Sequence, residues 1–105
     1  MDLDLMSSIA KQMMSGTQVK VDSKVLPVRR TSSQRLKAVS FEMKGKKYEA
    51  IEQNADKPSR WGELAREGHQ VVQFKDAETN RFVAVAIDGK VKEYGSLRRK
   101  DSSEK

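Results

Sequence analysis

The hydrophobic pattern along this chain changes period near residue 36. Before it, Leu5, Ile9 and Met13 recur at i, i+4 and i+8 with Met6 and Ala10 beside them. This spacing predicts an amphipathic helix over residues 3–14 that stops at Ser15-Gly16. So short a helix is marginal alone in water, because nucleation is costly. Its apolar stripe must therefore dock, either on the protein's own body or on a partner or second copy. Deleting residues 1–16 separates the two, since a partner surface can be lost without unfolding the body. Residues 17–35 are polar with scattered valines. Val19 and Val21 alternate and suit one edge strand, and Arg29-Arg30-Thr31-Ser32-Ser33-Gln34-Arg35 reads as a basic, hydroxyl-rich linker.

From Leu36 the period is two. Val39, Phe41 and Met43 alternate with Ser40 and Glu42, Lys44-Gly45-Lys46 makes a turn, and Tyr48-Glu49-Ala50-Ile51-Glu52 returns as the second arm of a β-hairpin. After the break at 54–58, residues 59–67 predict a short helix with Trp61, Leu64 and Ala65 on one face and Gly68 as its stop. Residues 71–75 and 82–87 form two further strands around a polar turn, and the second, with the longest apolar run, is expected to be central. Asp88-Gly89 is a strong two-residue hairpin signal before a last strand, Val91 to Tyr94.

Five short strands in hairpin order with one short helix predict a mainly β fold, a small five-stranded antiparallel SH3-like barrel or bent sheet. Its core draws on Val39, Phe41, Tyr48, Ile51, Trp61, Leu64, Val72, Phe74, Phe82, Val85 and Ile87. The organisation expected is an N-terminal extension over residues 1–35, a barrel domain over 36–95 and a charged, disordered tail over 96–105.

Charge adds a partner to this picture. The 105 residues carry 21 Lys+Arg against 15 Asp+Glu, a net of +6, yet residues 36–95 hold 11 basic and 10 acidic residues, a net of +1. Residues 1–35 contribute +3 and residues 96–105 contribute +2. Basic tails on a near-neutral body suggest an anionic partner gripped by the extremities. The chain has no cysteine, which removes disulfides, thiolate nucleophiles and Cys-ligated metals together. No apolar run approaches the roughly 20 residues of a membrane-spanning helix. Met1-Asp2-Leu3-Asp4 is acidic where a secretory signal is basic, so a cytoplasmic address is expected, with no membrane partner.

Enzyme chemistry is not expected. The single histidine, His69, has no second His or Cys at metal-binding spacing, and so near a helix end it suits a cap or dipole partner. As a general base it would need a nucleophile and an orienting carboxylate, for which Glu63 and Glu67 are the nearest in sequence. Glu49 and Glu52 point to opposite faces of one strand and cannot act as a pair. The glycines are isolated punctuation, with no phosphate-cradling loop. No catalytic residue, cofactor or metal is assigned.

Nucleic acid is the partner class that charge favours. On a small barrel, exposed aromatics stack bases while Lys and Arg track phosphates. Trp61 with Lys57, Arg60 and Arg66, Tyr48 with Lys44, Lys46 and Lys47, and Tyr94 with Lys90 and Lys92 are the candidates. Each has a plainer role as a core anchor or rim residue. The order of hairpin Val39 to Glu49, then Trp61, then strand Val71-Val72-Gln73-Phe74, with the turn Phe74 to Phe82, resembles the small basic archaeal chromatin proteins that bind duplex DNA with an SH3-like barrel. The resemblance covers residues 38–87 and rests on turn and strand order. It implies minor-groove contact through Trp61, Val72, Phe74, Arg81 and Val83. The chain departs in its near-neutral body, where those proteins are lysine-rich, and in the helix inserted at 59–67.

The leading expectation is thus a non-catalytic nucleic-acid-binding protein in which Trp61, Arg60, Lys57, Phe74, Arg81, Arg29, Arg30, Arg98 and Arg99 meet the ligand. The alternative is a protein-interaction module using an aromatic groove, an open strand edge or the apolar stripe of residues 3–14. One continuous positive face with an exposed aromatic favours the first; evenly mixed charge favours the second.

Overall fold

The computed structural model describes residues 3–31, 36–53 and 60–94. Lys57, Arg98, Arg99 and the tail 96–105 lie outside the described residues, as do linker residues 32–35. The elements are α1 (Leu3–Ser15), β1 (Gln18–Val21), β2 (Lys24–Pro27), β3 (Arg29–Arg30), β4 (Lys37–Met43), β5 (Lys46–Gln53), α2 (Arg60–Arg66), β6 (Val71–Asp76), β7 (Arg81–Ile87) and β8 (Lys90–Glu93).

The tight hairpins follow from their turn residues. Lys44 and Gly45 have φ of 53° and 79°, and Asp88 and Gly89 have 54° and 84°. Two successive positive φ values match the twist of the flanking strands, so both turns return the chain directly into its antiparallel neighbour. α2 stops as its sequence demands: Gly68 adopts φ 99°, its N–H donates to the Ala65 carbonyl, and the His69 N–H donates to the Leu64 carbonyl. That pair of bonds satisfies carbonyls which the last helical turn leaves without donors.

The five strands expected from Leu36 onward are present in order, as β4 to β8. They do not form a five-stranded closed barrel. With β3 they make a six-stranded antiparallel sheet in the order β3-β4-β5-β6-β7-β8, open at β3 and β8, and β1 and β2 form a separate two-stranded sheet. The physical reason is α1. Met6, Ile9, Ala10 and Met13 are buried with Val39, Phe41, Tyr48, Ala50, Val72, Phe74, Ala84 and Ala86 in one cluster. The helix covers one face of the sheet, so the sheet need not curl to bury its own apolar side. The stripe of residues 3–14 is spent on the protein's own body, not left for a partner or second copy.

Two further expectations are corrected. The strand expected to be central, β7, lies beside the edge strand β8, while β5 and β6 hold the middle. Phe82, expected in the core, is 39% exposed. A register shift between Phe74 and Lys75 sets Phe82 opposite Lys75, which turns its ring to the sheet face away from α1.

Candidate functional site

Register pairing sorts the side chains of the sheet's outer face, the one opposite α1, into rows. Ala38, Ile51, Gln73, Val85 and Lys92 form one row, and Gln53, Val71, Ile87 and Lys90 the next. α2 lies over this half, where Val71 and Val85 are buried. Trp61 packs on Tyr94 with ring centroids 6.2 Å apart, and the Gln73 amide donates to the Tyr94 hydroxyl. Burial pushes the Tyr94 phenol above its ordinary pKa, while its bonds to Gln73 and Trp61 oppose the shift. Trp61 is half-buried and acts as the anchor of a second small core.

Among the described residues, no element covers the other half of this face. Its row is Ser40, Glu49, Lys75 and Phe82, with Arg29 reaching in from β3. The Arg29 guanidinium donates to the Ser40 hydroxyl at 3.1 Å and pairs with the Glu49 carboxylate, and Lys75 Nζ lies 3.5 Å from the other Glu49 oxygen. Two cations thus share one carboxylate. Among the described residues, opposite signs alternate along the row and no continuous positive face forms there.

The candidate nucleic-acid residues are scattered. Phe74 and Val72 are buried against α1, Trp61 lies on the other face with Arg60 beside it, and Arg81 sits at the polar β6–β7 turn. Arg30 lines a cleft of about 330 Å³ with Lys37 and Thr17 at the end of α1. The positions implied by the chromatin-protein resemblance therefore fall on both sides of the sheet. His69 has a partner that sequence proximity did not suggest: its Nδ1 lies 2.6 Å from an oxygen of the Asp88 carboxylate, not beside Glu63 or Glu67. Asp88 also accepts the Gln70 backbone N–H at 2.9 Å, and the two donors, the amide first, hold its carboxyl below the usual range.

Comparison with protein-family models, curated proteins and solved structures finds no match to this chain.

The most site-like feature was not read from the sequence. β2 and β3 are nearly one run of chain, but only β3 stays on β4, pairing Arg29 with Ala38 and Arg30 with Lys37. Continuing that register would set Pro27 opposite Ser40. Proline has no N–H to donate, so the ladder ends and β2 departs to pair with β1. The Val28 N–H confirms the new allegiance by donating to the Thr17 carbonyl at 3.0 Å. By antiparallel alternation from the bond of Thr31 N–H to the Leu36 carbonyl, the N–H and C=O of Ser40 and Glu42 point into the gap. Among the described residues none of these four groups has a backbone partner.

The gap is a cleft of about 420 Å³, within the roughly 300–1,000 Å³ common for ligand sites. Val21, Lys24 and Leu26 line it from the β1–β2 side, and Ser40, Phe41, Glu42 and Lys47 from the β4–β5 side. Other edges are guarded. The Gln12 side chain accepts from the Lys20 N–H at 2.8 Å and donates to the Lys20 carbonyl at 3.1 Å, so it occupies the free edge of β1 as a strand would. β8 carries exposed Lys90 and Lys92, a common deterrent to edge pairing.

Proposed function

We propose that this chain is a non-catalytic protein-interaction module that takes an extended segment onto the open edge of β4. One observation carries the reading: the outward N–H and C=O groups of Ser40 and Glu42 line a cleft bounded on its far side by β2. An unpaired edge offers main-chain hydrogen bonds to any extended chain, and the cleft walls supply side-chain contacts, the two parts of strand addition. The mixed charge of the outer sheet face, where Arg29 and Lys75 both engage Glu49, also supports a protein partner over a phosphate backbone.

Amide hydrogen exchange tests the edge directly. The Ser40 and Glu42 amides are expected to exchange much faster than those of Val39 and Phe41, which point to β5. Equal protection at all four positions would refute an open edge. Nucleic acid is examined by mobility shift with single-stranded and duplex DNA at two salt concentrations. Salt-sensitive binding that Arg29→Glu together with Arg30→Glu removes would favour the nucleic-acid reading instead.

A further inference from the structure

We infer that β2 is a built-in stand-in for the partner: the segment this module takes is a β2-like strand, apolar opposite Phe41 and free of proline opposite Ser40, and it displaces β2 from beside β4. This rests on the strand-accepting edge proposed above. The spacing requires the displacement. β2 and β4 approach within 8 Å, Cα to Cα, whereas a strand standing between them needs two interstrand spacings, about 9.4–9.8 Å. The β1–β2 hairpin must therefore lean outward before Ser40 and Glu42 can pair with another chain, and it then remains as the far wall.

Register identifies what the edge prefers. Extending the β3–β4 pairing of Arg29 with Ala38 back through Val28 sets Pro27 opposite Ser40, Leu26 opposite Phe41 and Val25 opposite Glu42. Leu26 and Phe41 then share the face toward α1, and Leu26 does pack against the apolar cluster that holds Phe41. By alternation from the bond of the Val28 N–H to the Thr17 carbonyl, the Val25 N–H and C=O point at the gap. β2 thus carries the side-chain and backbone pattern of a β4 neighbour, with Pro27 as its defect. A partner that keeps the leucine and restores the missing N–H pairs better than β2 does. β2 is also the looser arm of its hairpin. Lys24 and Val25 are exposed and Leu26 is half-buried, while Val19 on β1 has no exposed surface and Gln12 clamps Lys20. On the outer face Lys47 stands opposite Glu42, so the incoming strand meets a balanced pair there and needs no charge of its own.

The test titrates three hexapeptides into the isotope-labelled full chain, followed by two-dimensional amide NMR spectra. The first, Asp-Ser-Lys-Val-Leu-Val, copies residues 22–27 with valine in place of Pro27. The second keeps the proline, and the third has Asn in place of the leucine. The first should shift the Ser40 and Glu42 amides. The second should bind about twofold to tenfold more weakly, for one lost hydrogen bond, and the third about tenfold or more, for a leucine no longer buried. Displacement is tested with V25C combined with E42C, both exposed positions of a chain without cysteine. Bridging the two thiols with a short dithiol-linking reagent should abolish binding of the first peptide, and the unbridged double variant should retain it. P27V makes a second, independent test: it restores the N–H within β2 and should slow exchange of the Ser40 and Glu42 amides. Equal binding by bridged and unbridged protein overturns displacement and leaves the edge in place. Equal affinity for the three peptides, or fast exchange of both amides in P27V, overturns the β2-like register. No binding of any peptide to the unbridged protein overturns the edge itself.

Discussion

Replacing Ile9 by alanine tests whether α1 belongs to the fold. Ile9 has no exposed surface and lies among Met6, Ala10, Met13 and the inner face of the sheet. Truncating a buried isoleucine to alanine costs about 2–5 kcal/mol, the lost transfer energy of its carbons plus the cavity they leave. A chain of 105 residues is stabilised by about 5–15 kcal/mol in total, so this single change removes a large share. At about 4–8 °C per kcal/mol for domains near this size, the melting temperature should fall by at least about 8 °C. Far-ultraviolet circular dichroism and Trp61 fluorescence, followed through the same thermal ramp, should move together. The control is Val25→Ala, because Val25 is 52% exposed and its truncation should stay within about 0.5 kcal/mol of the parent. Removal of residues 1–16 should leave no cooperative transition. An Ile9→Ala protein that melts within about 2 °C of the parent would refute the placement of α1 in the core, and would return its apolar stripe to the role of a partner surface.

Three other outcomes are expected. The Asp88 carboxyl titrates below its ordinary value of 3.8, so its contribution is present above that value and lost as pH falls through the folded one; urea melts of Asp88→Asn should accordingly show a flatter acid limb than the parent. Tyr94 titrates above its ordinary 10.0, so the docking of α2 is intact below that pH and weakens as pH rises through the folded value; Trp61 emission should shift on this alkaline limb, and Tyr94→Phe should remove the shift. Gly89→Ala should cost at least about 1–2 kcal/mol in urea melts for the positive φ of 84°, because the new Cβ also meets Lys11 Cε at 2.5 Å and Cγ at 3.2 Å, so that side chain must shift.

Local pattern carried the sequence reading a long way. The two-residue period placed β4 and β5, apolar runs around a polar turn placed β6 and β7, the 3.6-residue period placed α1, and Asp88-Gly89 marked the hairpin into β8, since each signal is written in neighbouring residues. What failed depended on distant contacts. A barrel and an open sheet share the same strand pattern, and only the docking of α1 decides between them. The bulge that turns Phe82 outward is a property of the β6–β7 register, not of either strand alone. β2 was missed although a signal existed: Asp22-Ser23 is a two-residue break between Val19, Val21 and the following Val25, and Asp22 takes φ 55° there. The β4 cleft was illegible for a stricter reason. Pro27 matters only once its register opposite Ser40 is known, because the missing N–H is harmless anywhere that no acceptor waits for it.

An exposed strand edge is ordinarily a hazard, a template for uncontrolled pairing with other copies. Here β2 stands across the gap, so the broad edge of another folded sheet meets a second wall before it reaches Ser40 and Glu42. A single extended segment needs only the edge of β4 itself, and the geometry thereby favours a peptide over self-association. The same geometry limits affinity. The four backbone groups on β4 contribute about 0.5–1.5 kcal/mol each, roughly 2–6 kcal/mol together. Apolar contact on Val21, Leu26 and Phe41 adds to this, while ordering of the free peptide subtracts from it. The balance places the dissociation constant in about the micromolar to millimolar range. Such a site releases its ligand readily, and its selectivity must come from the side chains lining the cleft more than from the backbone bonds, which any extended chain can make.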